Sequence, residues 1–206
     1  MAPRNRQARY VLTANTLQRL IFFGMFAYLA AYLIESYHML AGDTAPPRAL
    51  AGSGAIVGGG LGGWVTGQRR RLALVALSCV GSGLLAALVF STPISPWATA
   101  TLACGAAALT GPSLTVTPTL LMELAGSSRT TATGLFAVSN QLGAFGGSAL
   151  GGVMLALGGF LYVGLCCLGV SVIAAVVVRL KVRDSAAFLA QLAPQQGTTD
   201  QPHTDT

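Results

Sequence analysis

Residues 58–80 read GGGLGGWVTGQRRRLALVALSCV, and the change of character inside this stretch decides the fold. A glycine-rich run without charge ends at Gln68, three arginines follow at 69–71, and a second uncharged apolar run begins at Leu72. A helix rises about 1.5 Å per residue and the hydrocarbon core of a bilayer is about 30 Å thick, so about 20 apolar residues cross it. Both runs have that length. The pattern predicts two membrane-spanning helices, 48–67 and 72–91, joined by a tight cationic turn at one membrane face.

The same ruler applied outward finds a run from Leu17 to Ala41, closed off by Pro46 and Pro47. Beyond Pro93 and Pro96 it finds 97–124, which contains Pro112 and Pro118, then 130–157 and 160–180 on either side of Gly158-Gly159. The expectation is an all-α membrane protein with six transmembrane helices over residues 17–182. A cytoplasmic lead occupies 1–16, and a polar, disordered cytoplasmic tail occupies 183–206.

Composition agrees. Of 206 residues, 9% are charged and 53% apolar, against roughly 25% charged for an ordinary soluble domain. Mean hydropathy is +0.65. Such a chain cannot cover its surface with polar groups, so its expected solvent is the lipid bilayer. Twenty-six glycines suit close helix packing in membranes.

The basic residues sort by loop. Arg4, Arg6, Arg9 and Arg19 lie at the first end, Arg69, Arg70 and Arg71 in the second-to-third turn, and Arg129 in the fourth-to-fifth. Arg179, Lys181 and Arg183 follow the last span, and only Arg48 falls in the other class of loop. The positive-inside rule then predicts both termini in the cytoplasm, with the chain in the cell's inner membrane. The net charge of +6 is thus a topology signal, and no nucleic-acid partner is expected. The first apolar run continues past Tyr32 with no small-residue cleavage site, which predicts an uncleaved helix rather than a signal peptide. Cys79, Cys104, Cys166 and Cys167 all lie in apolar runs without a C-x-x-C pair or a Cys/His cluster. They read as small apolar side chains, and neither metal nor cofactor is expected.

Polar residues inside the spans are the candidate functional groups, because an ionisable or amide side chain in hydrocarbon is costly. Tyr28, Tyr32, Glu35 and Met39 sit at i, i+4, i+7 and i+11, which places them on one helix face. Glu35 fits two readings: a proton or cation site in a cavity, or a hydrated carboxylate near the outer interface, with His38 one turn closer to it. Thr110, Ser113 and Thr117 share a face of a helix carrying Pro112 and Pro118. Their hydroxyls line a path or bond back to their own helix. Ser139, Asn140 and Gln141 form a polar step, met by an interhelical hydrogen bond or a substrate. Glu123 and Arg129 read as an ion pair or as solvated charges. Gly58 and Gly62, and Gly143, Gly147 and Gly151, have the small-x-x-x-small spacing that lets backbones approach.

The order of these features resembles one six-helix half of a major facilitator superfamily transporter, over about residues 17–182. Gly62-Gly63-Trp64-Val65-Thr66-Gly67-Gln68-Arg69-Arg70-Arg71 is similar to that family's loop between its second and third helices, with Gly67 where an Asp is expected. Pro118 to Glu123 with Arg129-Thr-Thr-Ala-Thr-Gly134 is similar to the fourth-to-fifth junction. Asn140-Gln141-Leu142-Gly143 with Gly147, Gly151 and Gly152 resembles the fifth helix. The pattern looks most like the C-terminal half of a bacterial drug or sugar efflux permease of the drug:proton antiporter kind.

The resemblance implies a secondary transporter exporting a small-molecule substrate in exchange for protons. Glu35 would carry the proton. Tyr28, Tyr32, Thr110, Ser113 and Asn140 would line the path. Gly63, Arg69, Arg70 and Arg71 would form the cytoplasmic gate. Such a machine needs a second six-helix half, either another copy or a separate chain. The competing expectation is a non-transporting assembly subunit, or a fragment of a longer permease, docking through its glycine-rich helices. No Ser/His pair, paired aspartates or His-Glu-x-x-His motif lies at catalytic depth, so no enzyme is expected.

Overall fold

A computed structural model of the chain describes residues 3–68, 70–125 and 128–182. Arg69 and the tail expected over 183–206 lie outside the described residues. Among those described, the chain is all helical. α1 spans Pro3–Tyr37, a short 3-10 turn covers Ala41–Thr44, α2 spans Ala45–Thr66, α3 Arg71–Ser91, α4 Pro96–Ala125 and α5 Arg129–Lys181.

The six expected spanning helices are not found. Five α-helices form, and three contain a segment long and apolar enough to cross a membrane: Arg6–Tyr37, Arg71–Ser91 and Arg129–Lys181. Two physical reasons account for the difference. α2 and α4 have the length, but glycine, proline and threonine dilute their apolar character. Residues 130–157 and 160–180, read as two spans, are two helical segments joined directly at Gly158-Gly159 with no loop between them, and together they make up α5. There the backbone leaves the helical region, and Gly159 takes φ 75°, ψ −165°, which glycine adopts without steric cost.

Local signals explain the ends. No proline or glycine lies between Arg4 and Leu17, so the helix starts well before Leu17 and includes most of the expected lead. It stops where His38 enters the left-handed region at φ 54°, a conformation common just past helix C-termini. α2 starts with proline in its first turn. At α4, the Ser95 hydroxyl accepts the Ala98 N–H at 3.1 Å, capping the helix.

The helices pack in two main pairs, α1 with α5 and α2 with α4, and α3 bridges α5 and α4. The buried apolar residues fall into two clusters. One holds Val11, Ala14, Val75, Val116, Leu120 and Val178. The other holds Met25, Leu29, Leu33, Val89, Phe90 and Val163. Large apolar side chains also cover the outside: Ile56 of α2, Leu77 of α3 and Phe145 of α5 are at least 70% exposed. An apolar exterior combined with three long apolar helices is the character of a membrane protein.

A polar layer between two apolar cores

Each of α1, α3, α4 and α5 passes from one apolar cluster to the other, and each carries polar residues at the crossing. α1 contributes Asn15, Gln18 and Arg19, α3 contributes Ser82, with Ser78 one turn inside the first cluster, α4 contributes Thr110 and Ser113, and α5 contributes Ser139 and Asn140. Asn15 is 1% exposed, Gln18 4% and Arg19 7%. The hydroxyls are satisfied. Ser78 donates to the Val75 carbonyl, Thr110 to Ala107 at 2.6 Å, Ser113 to Thr110 at 2.8 Å and Ser139 to Phe136 at 2.8 Å. Ser82 crosses to the Ala106 carbonyl at 3.0 Å.

The amides and the arginine are not fully satisfied. The Asn15 Nδ2 donates to Ser139 Oγ at 2.7 Å and to Asn140 Oδ1 at 2.8 Å, joining α1 to α5. Gln18 Nε2 is bonded to the Cys79 thiol of α3. That leaves Asn15 Oδ1, Gln18 Oε1 and Arg19 Nε buried without a partner; the fourth such atom among the described residues is the Tyr32 hydroxyl. Three unpartnered polar atoms on one helical turn are unusual, since each such group costs about 1–3 kcal/mol. The ion pair observed among the described residues lies elsewhere, between Arg71 and Glu123 at 3.0 Å. Among the described residues, Arg19 therefore holds its charge inside the bundle without a carboxylate.

Small residues bring α5 to this turn. Gly143 abuts Arg19 and Thr16, where an added Cβ would lie 2.6 Å from the Thr16 carbonyl oxygen. Gly147 abuts Leu20 and Gly24, and Gly151 lies under the Tyr28 ring. The α2–α4 seam uses the same device. Gly58 lies against Ala108, whose carbonyl Pro112 leaves without its helical donor, and Gly62 lies against Gly111 and Thr115. Two small cavities of about 10 Å³ flank the polar turn. One is lined by Val11, Ala14, Val75 and Thr117, the other by Leu20, Gly24, Gly147 and Cys167. Each has room for about one water molecule.

The sequence-predicted site residues divide between levels. Thr110, Ser113 and Asn140 belong to the polar layer, together with Ser139; Gln141 is exposed. Tyr28 and Tyr32 sit beyond it. The Tyr28 hydroxyl donates to the Ser148 carbonyl at 2.6 Å, and Tyr32 is buried edge-on against Tyr37, Phe90 and Phe160. Glu35 is exposed in the last turn of α1, one turn past the buried Tyr32, and His38 is exposed beyond it. In the expected gate loop, Gly63 and Arg70 are exposed, whereas Arg71 is buried and bound to Glu123 of α4. Glu123 thus pairs with Arg71 and not with exposed Arg129.

Asn15, Gln18 and Arg19 were not singled out from the sequence. Their signal was present: i, i+3, i+4 spacing within an unbroken helical stretch. It was hidden because a span measured from Leu17 leaves Asn15 in the lead and makes Arg19 a boundary charge. Comparisons with protein-family models, with curated proteins and with solved structures find no match to this chain.

Proposed function

We propose that this chain is a subunit of a membrane transporter that exports a small molecule, with proton exchange as its coupling and a second copy completing the path. The observation that carries this reading is the unpaired Arg19 beside Asn15 and Gln18 inside a membrane-spanning bundle. A passive membrane anchor gains nothing from such a group. A charge at mid-membrane costs about 2.5–3.5 kcal/mol even on insertion scales, and such residues mark substrate or ion pathways. Gly58, Gly62, Gly143, Gly147 and Gly151 are all used within the chain, which weighs against their serving to dock an unrelated partner.

Glu35 is the sole carboxylate in the three candidate spans and remains the group proposed to carry the proton. Its exposed position at the end of α1 puts it at the mouth of the path rather than at its centre.

The test is reconstitution of the full chain into liposomes with an entrapped pH dye and an imposed pH gradient. Cationic, neutral and anionic amphipathic solutes are then added in turn. Proton flux that depends on one class of solute, and disappears in Glu35→Gln, is the expected result. Flux equal to that of protein-free liposomes for every class overturns the reading.

A further inference from the structure

We infer that Arg19, Asn15 and Gln18 form an intramembrane binding site for a small oxyanion that also carries an O–H or N–H donor. The inference rests on the transport reading and names its substrate class. Three features of the same turn point to this chemistry.

First, Arg19 is 7% exposed and makes no ion pair, and its Nε has no acceptor. A guanidinium presents five N–H donors in a fixed fork that matches a carboxylate or phosphate, and it does not discharge by losing its proton. A buried, permanently charged fork calls for an anion.

Second, the neighbouring unpartnered atoms are Asn15 Oδ1 and Gln18 Oε1. Their amide nitrogens already serve Ser139, Asn140 and Cys79, which orients the carbonyl oxygens as acceptors. A simple anion would satisfy Arg19 and leave both carbonyls bare. An oxyanion with an adjacent hydroxyl or ammonium brings an acceptor for Arg19 and a donor for these carbonyls. A hydroxy acid has this chemistry, and so does a phospholipid headgroup such as that of phosphatidylglycerol.

Third, small cavities border this turn. The two small cavities lie along α1 on either side of this turn, at Val11–Ala14 and at Leu20–Gly24. Gly143 and Gly147 form the facing wall, so α5 has no side chain to withdraw before the site opens.

The experiment measures binding to the full chain and not transport, so its outcome is independent of whether the chain pumps. The protein is placed in phosphatidylcholine nanodiscs, and its thermal stability is titrated with L-lactate and with propionate, which lacks the hydroxyl. Wild type is expected to be stabilised by both and more strongly by lactate. Arg19→Gln should weaken the response by roughly tenfold or more, and Arg19→Lys should retain part of it. Arg48→Gln, exposed at the start of α2, should behave as wild type. A parallel arm uses nanodiscs of phosphatidylglycerol. An Arg19-dependent shift there, with none from lactate, supports the site and assigns it to a lipid headgroup. Equal responses in wild type and Arg19→Gln in both arms overturn the site. Lactate binding that depends on Arg19, in a chain that gives no solute-driven proton flux, keeps the site and overturns the transporter.

Discussion

The α2–α4 seam and the α1–α5 seam are built by the same means and differ in what they enclose. In the first, Gly54, Gly58 and Gly62 face Cys104, Ala108 and Gly111, and the contact is backbone on backbone. In the second, Gly24, Gly143 and Gly147 give an equally close approach, but Asn15, Arg19, Ser139 and Asn140 are enclosed with it. Small residues hold two helices together in either case. Arg19 adds nothing to that cohesion and detracts from it. One seam is scaffold, whereas the other carries a cost that function must explain.

The comparison breaks if the apolar seam tolerates bulk. Gly111→Leu would drive a side chain into the Gly58 backbone, where no rotamer change relieves the clash. Overpacking typically costs 1–3 kcal/mol, and contact with backbone places this variant at about 3 kcal/mol or more. Loss of a single peak in detergent size-exclusion chromatography is the expected readout, and normal assembly would show that the seam is not the scaffold.

Arg19 should give the opposite sign. Replacing a buried, unpaired charge by Leu removes a desolvation cost, so Arg19→Leu is expected to raise the melting temperature while abolishing anion response. A fall in melting temperature comparable with that of Gly111→Leu would make Arg19 a structural residue. Between these extremes lies the Asn15 bridge. A double-mutant cycle of Asn15→Leu with Asn140→Leu should return a coupling of about 0.6 kcal/mol, with about 1.7 as the upper end for hydrogen bonds between membrane helices. A coupling near zero would mean that the bond at 2.8 Å does not hold the polar seam together.

The smallest effect is expected outside both seams. Arg71 and Glu123 form an ion pair whose acidic partner is 36% exposed. Arg71 is itself buried, at 10% side-chain exposure, but Arg71→Gln keeps a polar group in its place and leaves Glu123 able to turn to solvent, so it should cost about 1 kcal/mol and leave the anion response at Arg19 unchanged. A large loss of stability, or an altered anion response, would tie this pair to the polar layer and sharpen the case for a gate.

Much of this protein follows from its sequence. Low charge, high hydropathy and long uncharged runs exclude an aqueous globule and specify helices, because a backbone in hydrocarbon must satisfy its own hydrogen bonds. The spacing of Gly58 and Gly62, and of Gly143, Gly147 and Gly151, follows from helical periodicity alone, so the residues of close approach were legible before any fold was known. Thr110, Ser113 and Asn140 were legible too, as polar residues where apolar ones are expected. What composition could not give was continuity. A ruler of 20 residues starts a helix at Leu17, whereas the chain starts it at Pro3, since polar helix formers extend α1 as readily as apolar ones do. At Gly158-Gly159 the ruler and the chain agree, because the backbone leaves the helical region there.

Pairing was likewise beyond the linear chain. Only the packed helices decide that Asn15 meets Ser139 and Asn140 across more than 120 positions, that Gln18 meets Cys79, and that Arg19 meets no acceptor. Periodicity states which residues share a helix face and is silent on what that face meets. Burial of Arg19 and exposure of Glu35 are properties of the assembled bundle, and it is the bundle that moves attention from the charge at the end of α1 to the charge within it.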